Sequence, residues 1–105
     1  MKAITLVIIS FLTIEAFGQN YGKSQGERLY DEGTKRIESG DYLGAESLLS
    51  VALQTYKNAD VYYNRGLSRI LQYDTLGFCQ DMNIAANKYF DKSAASLFNN
   101  TCCIR

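Results

Sequence analysis

Histidine is missing from all 105 residues, and so are proline and tryptophan. Without histidine the chain has no imidazole base, no imidazole metal ligand, and no Ser–His or Cys–His nucleophile pair. The absence of proline suits uninterrupted helices and decides little else. Net charge is lacking too, because 11 basic side chains balance 11 acidic ones. A neutral chain offers no basic surface to a nucleic acid or an anionic membrane, and neither is expected as a partner. No strand pattern is found, so no glycine-rich phosphate loop follows one, and the three cysteines include no Cys-x-x-Cys. Carboxylate pairs such as Asp31/Glu32 and Glu38/Asp41 read as solvated helix faces. The chain is therefore not expected to be an enzyme, and no cofactor or metal is expected.

Long apolar runs are scarce as well; the one present lies at the start. Met1-Lys2 is a short basic opening, and Ala3 to Ile14 is apolar except for Thr5, Ser10 and Thr13. Ala16-Phe17-Gly18 supplies small residues at the spacing that signal peptidase reads. The expectation is a signal peptide over residues 1–18, cut after Gly18 to leave Gln19 first. The run is too short to span a bilayer as a lasting anchor, so no stable membrane insertion is expected after cleavage. A retained anchor is the alternative. No cysteine lies near the cut, so a lipid anchor is not indicated. The mature protein is expected in the periplasm or outside the cell.

Residues 19–24 are polar and read as a flexible lead. From there to the end the periodicity is helical, and five helices can be bracketed by their capping residues. The first spans Gln25 to Ser39, with Leu29, Gly33 and Ile37 at four-residue spacing, and Gly40 stops it. Asp41 caps a second over Tyr42 to Tyr56, whose stripe is Ala45, Leu48, Leu49, Ala52, Leu53 and Tyr56. Asn58 caps a third over Ala59 to Tyr73, Asp74 a fourth over Thr75 to Tyr89, and Asp91 a last one ending near Cys102. Links of about two residues would force neighbouring helices to lie antiparallel.

Laying the first hairpin on the second exposes a fixed offset. Leu29 falls on Tyr62, Gly33 on Gly66, Asp41 on Asp74, Ala45 on Phe78, Leu49 on Met82 and Ala52 on Ala85, every pair at the same interval. In order and spacing these positions resemble the tetratricopeptide repeat (TPR) family, whose unit is about 34 residues. The string Tyr62-Tyr63-Asn64-Arg65-Gly66-Leu67 is similar to that family's first helix. Phe78, large where the family prefers alanine, implies wider helix packing there; Lys57, where proline is common, is a milder departure. The resemblance implies an all-α, TPR-like α-solenoid: repeat 1 over 25–57, repeat 2 over 58–90, and a capping helix and tail over 91–105. A narrower resemblance, carried by Phe78-Cys79-Gln80-Asp81-Met82, Asp91-Lys92-Ser93-Ala94, Leu97 and Cys102, is to short exported TPR proteins of Gram-negative bacteria. Beside them, Asn87 to Phe90 is one residue longer than the usual turn.

Those proteins carry one cysteine in the last repeat and one at the end of the capping helix. Cys79 and Cys102 match, and both fall on apolar faces that meet if the cap packs on the last hairpin. Closing a loop of about 24 residues would stabilise the fold by roughly 3 kcal/mol. Cys103 is the alternative partner of Cys79, and the absence of any bond within the chain is a third outcome. With three cysteines, one is left over.

In TPR-like stacking, one face of each first helix lines a concave groove. The resemblance places Tyr30 and Tyr63, Thr34 and Leu67, and Ile37 and Ile70 on that face, with Asn64 where the family hydrogen-bonds an extended peptide. These seven are the partner-binding candidates. Tyr30 and Thr34 replace the lysine and asparagine of the family's carboxylate clamp, which is therefore not expected. The plainer alternative is that Tyr30 and Tyr63 merely pack on each other. The expected role is binding of a protein or peptide; the runner-up is self-association into a homodimer through the edge of the first hairpin or Cys103. Asn99-Asn100-Thr101 fits a glycosylation acceptor but falls within an expected helix.

Overall fold

A computed structural model describes residues 22–102. The expected signal peptide with its cut after Gly18, residues 19–21 of the lead, and Cys103 lie outside the described residues. Within them the protein is all-helical, with no strand. The helices are α1 (Gln25–Glu38), α2 (Tyr42–Ala52), α3 (Ala59–Ile70), α4 (Thr75–Asn83) and α5 (Lys92–Thr101), and a π-helical turn over Ile84–Lys88 extends α4.

Each helix begins where a side chain can satisfy a backbone N–H that has no partner inside the helix. Asp41 accepts from Gly44 at 3.0 Å, Asn58 from Val61 at 3.2 Å, Asp74 from Gly77 at 2.9 Å and Asp91 from Ala94 at 2.8 Å. The four expected caps are thus the caps observed, and Ser24 caps α1 through Glu27. The helix ends repeat as well. Gly40 and Tyr73, one repeat interval apart, both adopt a left-handed backbone, with φ of 86° and 64°. The following amides close the same reverse bond in each case, Asp41 to the Arg36 carbonyl and Asp74 to the Arg69 carbonyl, both at 2.9 Å.

Two helices end earlier than expected: α3 stops at Ile70, short of Tyr73, because Gln72 and Tyr73 bond three residues back, and α2 ends early as well. α2 stops at Ala52, short of Tyr56, because Gln54 and Thr55 bond three residues back instead of four. The link to α3 therefore covers residues 53–58 and is longer than two residues. In the second hairpin the chain stays helical to Lys88, close to the expected Tyr89, by way of the π turn.

α1 packs along α2 and α3 along α4; α2 joins the two hairpins by packing on α3, and α5 lies on α4 and the π turn. Two apolar clusters result. Leu49, Ala52, Leu53 and Val61 make the first; Phe78, Met82, Ala85 and Ala94 make the second. Tyr62 packs against both. The clusters are related by the repeat offset, with Leu49, Ala52 and Val61 falling on Met82, Ala85 and Ala94. Full burial of a side chain such as Leu49 contributes about 1.5–3 kcal/mol.

The glycines show why the offset matters. A Cβ placed on Gly33 would lie 2.8 Å from Cγ of Leu49 and 3.5 Å from the Ala45 carbonyl oxygen. On Gly66 it would lie 2.8 Å from Cε of Met82 and 3.5 Å from the Phe78 carbonyl oxygen. The two helix pairs approach to the same distance, so Phe78 does not widen the second hairpin. Its side chain is buried instead in the cluster with Met82, Ala85 and Ala94.

Both ends of the stack are polar. At the outer edge of hairpin 1, the places held in α3 by Val61, Arg65 and Ser68 carry Arg28, Glu32 and Lys35, all exposed. On α5, Lys92, Ser93, Ser96, Asn99 and Asn100 are exposed.

Candidate functional site

The candidate face is formed by α1 and α3, the two first helices, which touch each other. Their contact is polar: Nδ2 of Asn64 donates to the Tyr30 hydroxyl at 3.0 Å. Tyr30 is half-buried, and its ring meets Tyr56 rather than Tyr63, with centroids 6.0 Å apart. Burial, and then the charge of Asp60, push the Tyr30 hydroxyl above the ordinary tyrosine value of 10.0. Thr34 turns its hydroxyl back onto the Tyr30 carbonyl at 2.9 Å.

The remaining candidates divide between the two clusters. Ile37 and Tyr30 pack on the first. Tyr63, Leu67 and Ile70 pack on the second. All seven are half-buried, so each contributes to packing while keeping an open side. Tyr30 and Asn64 are in direct contact, whereas no ring contact joins Tyr30 to Tyr63.

Behind this face runs a polar network that sequence reasoning missed. Asp81 is fully buried on α4 and accepts from three guanidinium nitrogens. Arg65 donates through Nε at 3.0 Å and Nη2 at 2.8 Å, and Arg69 through Nη1 at 3.0 Å. The same two arginines reach into hairpin 1: Arg65 to the Ser50 hydroxyl at 3.2 Å, Arg69 to Glu46 at 2.9 Å. Gln72 adds a bond to Glu46 at 3.0 Å. For Arg69, burial opposes the charge, but the Glu46 hydrogen bond and the Asp81 charge outweigh it and raise its affinity for the proton. Every buried polar side-chain atom in the network has a partner, and the network ties the two hairpins together. A signal was present, since Asp81 stands one repeat after the apolar Leu48, a carboxylate on what the first repeat uses as its apolar stripe.

Cys79 and Cys102 form a disulfide, with Cα atoms 5.7 Å apart, as preferred from the sequence. Among the described residues there is no cluster of three or more side chains able to hold a metal, and no helix is long and apolar enough to cross a membrane. A shallow depression on the outer side of α1 is lined by Lys23, Arg28, Asp31, Glu32 and Lys35. Its charges are mixed, and Lys23 is already bound to Asp31 at 2.6 Å.

Comparison with protein-family models, with curated protein sequences and with solved structures finds no match for this chain.

Proposed function

We propose that this chain is an exported module of TPR type that binds a protein or peptide on its α1/α3 face and carries out no catalysis. The observation that carries the reading is the Asn64–Tyr30 contact between equivalent helices of two hairpins repeated at one interval. It rigidifies a face on which Tyr30, Tyr63, Leu67 and Ile70 keep open sides. Half-buried tyrosines give contact area at low entropic cost. With one N–H committed to Tyr30, the Asn64 carboxamide retains its oxygen and a second N–H, the pair an extended backbone needs.

The disulfide supports residence in an oxidising compartment, periplasmic or extracellular. Self-association through the edge of hairpin 1 is the weaker reading, because a second copy seated there would bury Arg28, Glu32 and Lys35.

The test is a cross-linking pull-down of the mature chain from its native envelope, run beside Tyr63→Ala/Asn64→Ala. The reading expects the variant to lose partners that the parent recovers. Equal recovery by both would defeat it.

A further inference from the structure

The junction between the two hairpins and the junction between hairpin 2 and α5 are built on one plan. Val61 enters the first cluster and Ala94, its equivalent one repeat later, enters the second. Asn58 caps α3, and its equivalent Asp91 caps α5. The last helix therefore sits where the first helix of a third hairpin would sit.

The fasteners differ. At the first junction Arg69 bonds Glu46 across a sequence separation of 23. Shifted by one repeat, those two positions are Cys102 and Cys79, which form the disulfide across the same separation. A covalent bond stands where the inner junction has an ion pair.

The rest of the α5 junction is thinner than its counterpart. At the inner junction Arg65, held by Asp81 of its own hairpin, reaches across to Ser50, whereas the equivalent position in α5 is Phe98, which has no such donor. Among the described residues, no side-chain hydrogen bond or ion pair runs from α5 to α4; its one side-chain bond is the Asp91 cap. Its single fully buried residue is Ala94, where α3 buries Val61. α5 has only 10 residues, and a free helix of that length is marginal in water. With Leu97, Phe98 and Cys102, α5 packs on the buried cluster of Phe78, Met82, Ala85 and its own Ala94, whose other cover comes from α3. Cys79 and Cys102 are half-buried, so a reductant can approach the bond.

We propose that the Cys79–Cys102 bond is a redox-operated latch. A dithiol reductant opens it, α5 leaves hairpin 2, and the apolar face of Phe78, Met82 and Ala85 is uncovered. One thiolate of the reductant attacks a sulfur of the bond; the S–S bond breaks and the other cysteine leaves as a thiolate. The reductant's second thiol then displaces the attacked cysteine. Two protein thiols form, two electrons and two protons pass to the protein, and the dithiol ends as its own disulfide. α5 then swings on residues 89–91, where Phe90 is the left-handed joint with φ of 59°. Tyr63 and Leu67 pack on the same cluster as Leu97 and Phe98, so opening the latch reshapes one side of the face proposed for partners. That coupling rests on the partner-binding reading; the latch itself does not.

Hydrogen exchange read by mass spectrometry tests the latch without any partner. The mature chain is compared oxidised, after dithiothreitol, and after reoxidation. The latch requires amides from Ala95 to Cys102 to exchange at least about tenfold faster once reduced, with α1 and α2 within about twofold and full recovery on reoxidation. Cys79→Ser/Cys102→Ser should reproduce the reduced pattern with no reductant present. Unchanged protection of α5 in the reduced chain would overturn the proposal. So would collapse of protection across α1 to α4 together with α5, since the bond would then hold up the whole fold and release no single helix.

Discussion

Asn64 reaches from α3 to the hydroxyl of Tyr30 on α1, a 3.0 Å bond between residues 34 apart in sequence. Each half of that pair sits on a different hairpin, so the bond reports whether the hairpins are in register. Tyr30→Phe removes the acceptor and leaves the ring. A net loss of about 1 kcal/mol is expected in urea denaturation, with helical content unchanged by circular dichroism.

The same hydroxyl carries a pH signature. Its proton is held more tightly in the folded chain than the ordinary tyrosine value of 10.0 implies, by burial first and then by the Asp60 charge. A group whose folded pKa is raised contributes stability that is present below its unfolded pKa and lost as pH rises through the folded value. Stability should therefore fall above pH 10 more steeply in the parent than in Tyr30→Phe. Parallel thermal melts of the two between pH 8 and 11 would show no such difference if Tyr30 were solvated.

Asp81 predicts the largest single effect. Its carboxylate is fully buried between Arg65 and Arg69, and removing it leaves two half-buried guanidinium groups facing each other. Asp81→Ala should cost about 3–5 kcal/mol. Arg65→Met/Asp81→Leu, which removes charge from both sides, should recover part of that loss. Chemical denaturation of the two variants measures the difference.

Asp41 predicts sensitivity to acid. The Arg36 hydrogen bond, followed by the Gly44 N–H, holds its carboxyl below the usual 3.8. A lowered folded pKa contributes stability that is present above the unfolded value and lost as pH falls through the folded one. Asp41→Asn keeps the capping oxygen and drops the titration. Its stability curve should be flatter than the parent's below pH 4, as read by thermal melts in low-pH buffers.

Tyr73 and Gly40 close equivalent turns, but only Gly40 can take the left-handed backbone without steric cost. The Tyr73 side chain is 93% exposed and has little packing to lose. Tyr73→Gly should raise stability by about 0.5–1 kcal/mol, because relief of strain exceeds the added freedom of the unfolded chain. A lower melting temperature would contradict this.

How much of this was legible beforehand follows from range. Asp41, Asn58, Asp74 and Asp91 act on amides three residues away, so residue type and position sufficed to place the helix starts. Gly33 and Gly66 were legible because the offset shows which helix each must meet. The Asp81 clamp was not, because it joins Arg65 and Arg69 of α3 to Glu46 of α2 and Asp81 of α4, and each alone reads as a surface charge. The early end of α2 was missed because Leu53 and Tyr56 continue the apolar stripe even after the backbone has turned away.

The polar character of both outer surfaces disfavours apolar packing there. Asn99 stands where Gly66 admits a neighbouring helix, and Arg28 stands where Val61 enters a core. A helix laid on either surface would have to desolvate those side chains, whereas the inner junction gives Arg65 and Arg69 the partners Ser50 and Glu46. Among the described residues, polar side chains lie buried between helices only where a partner meets them.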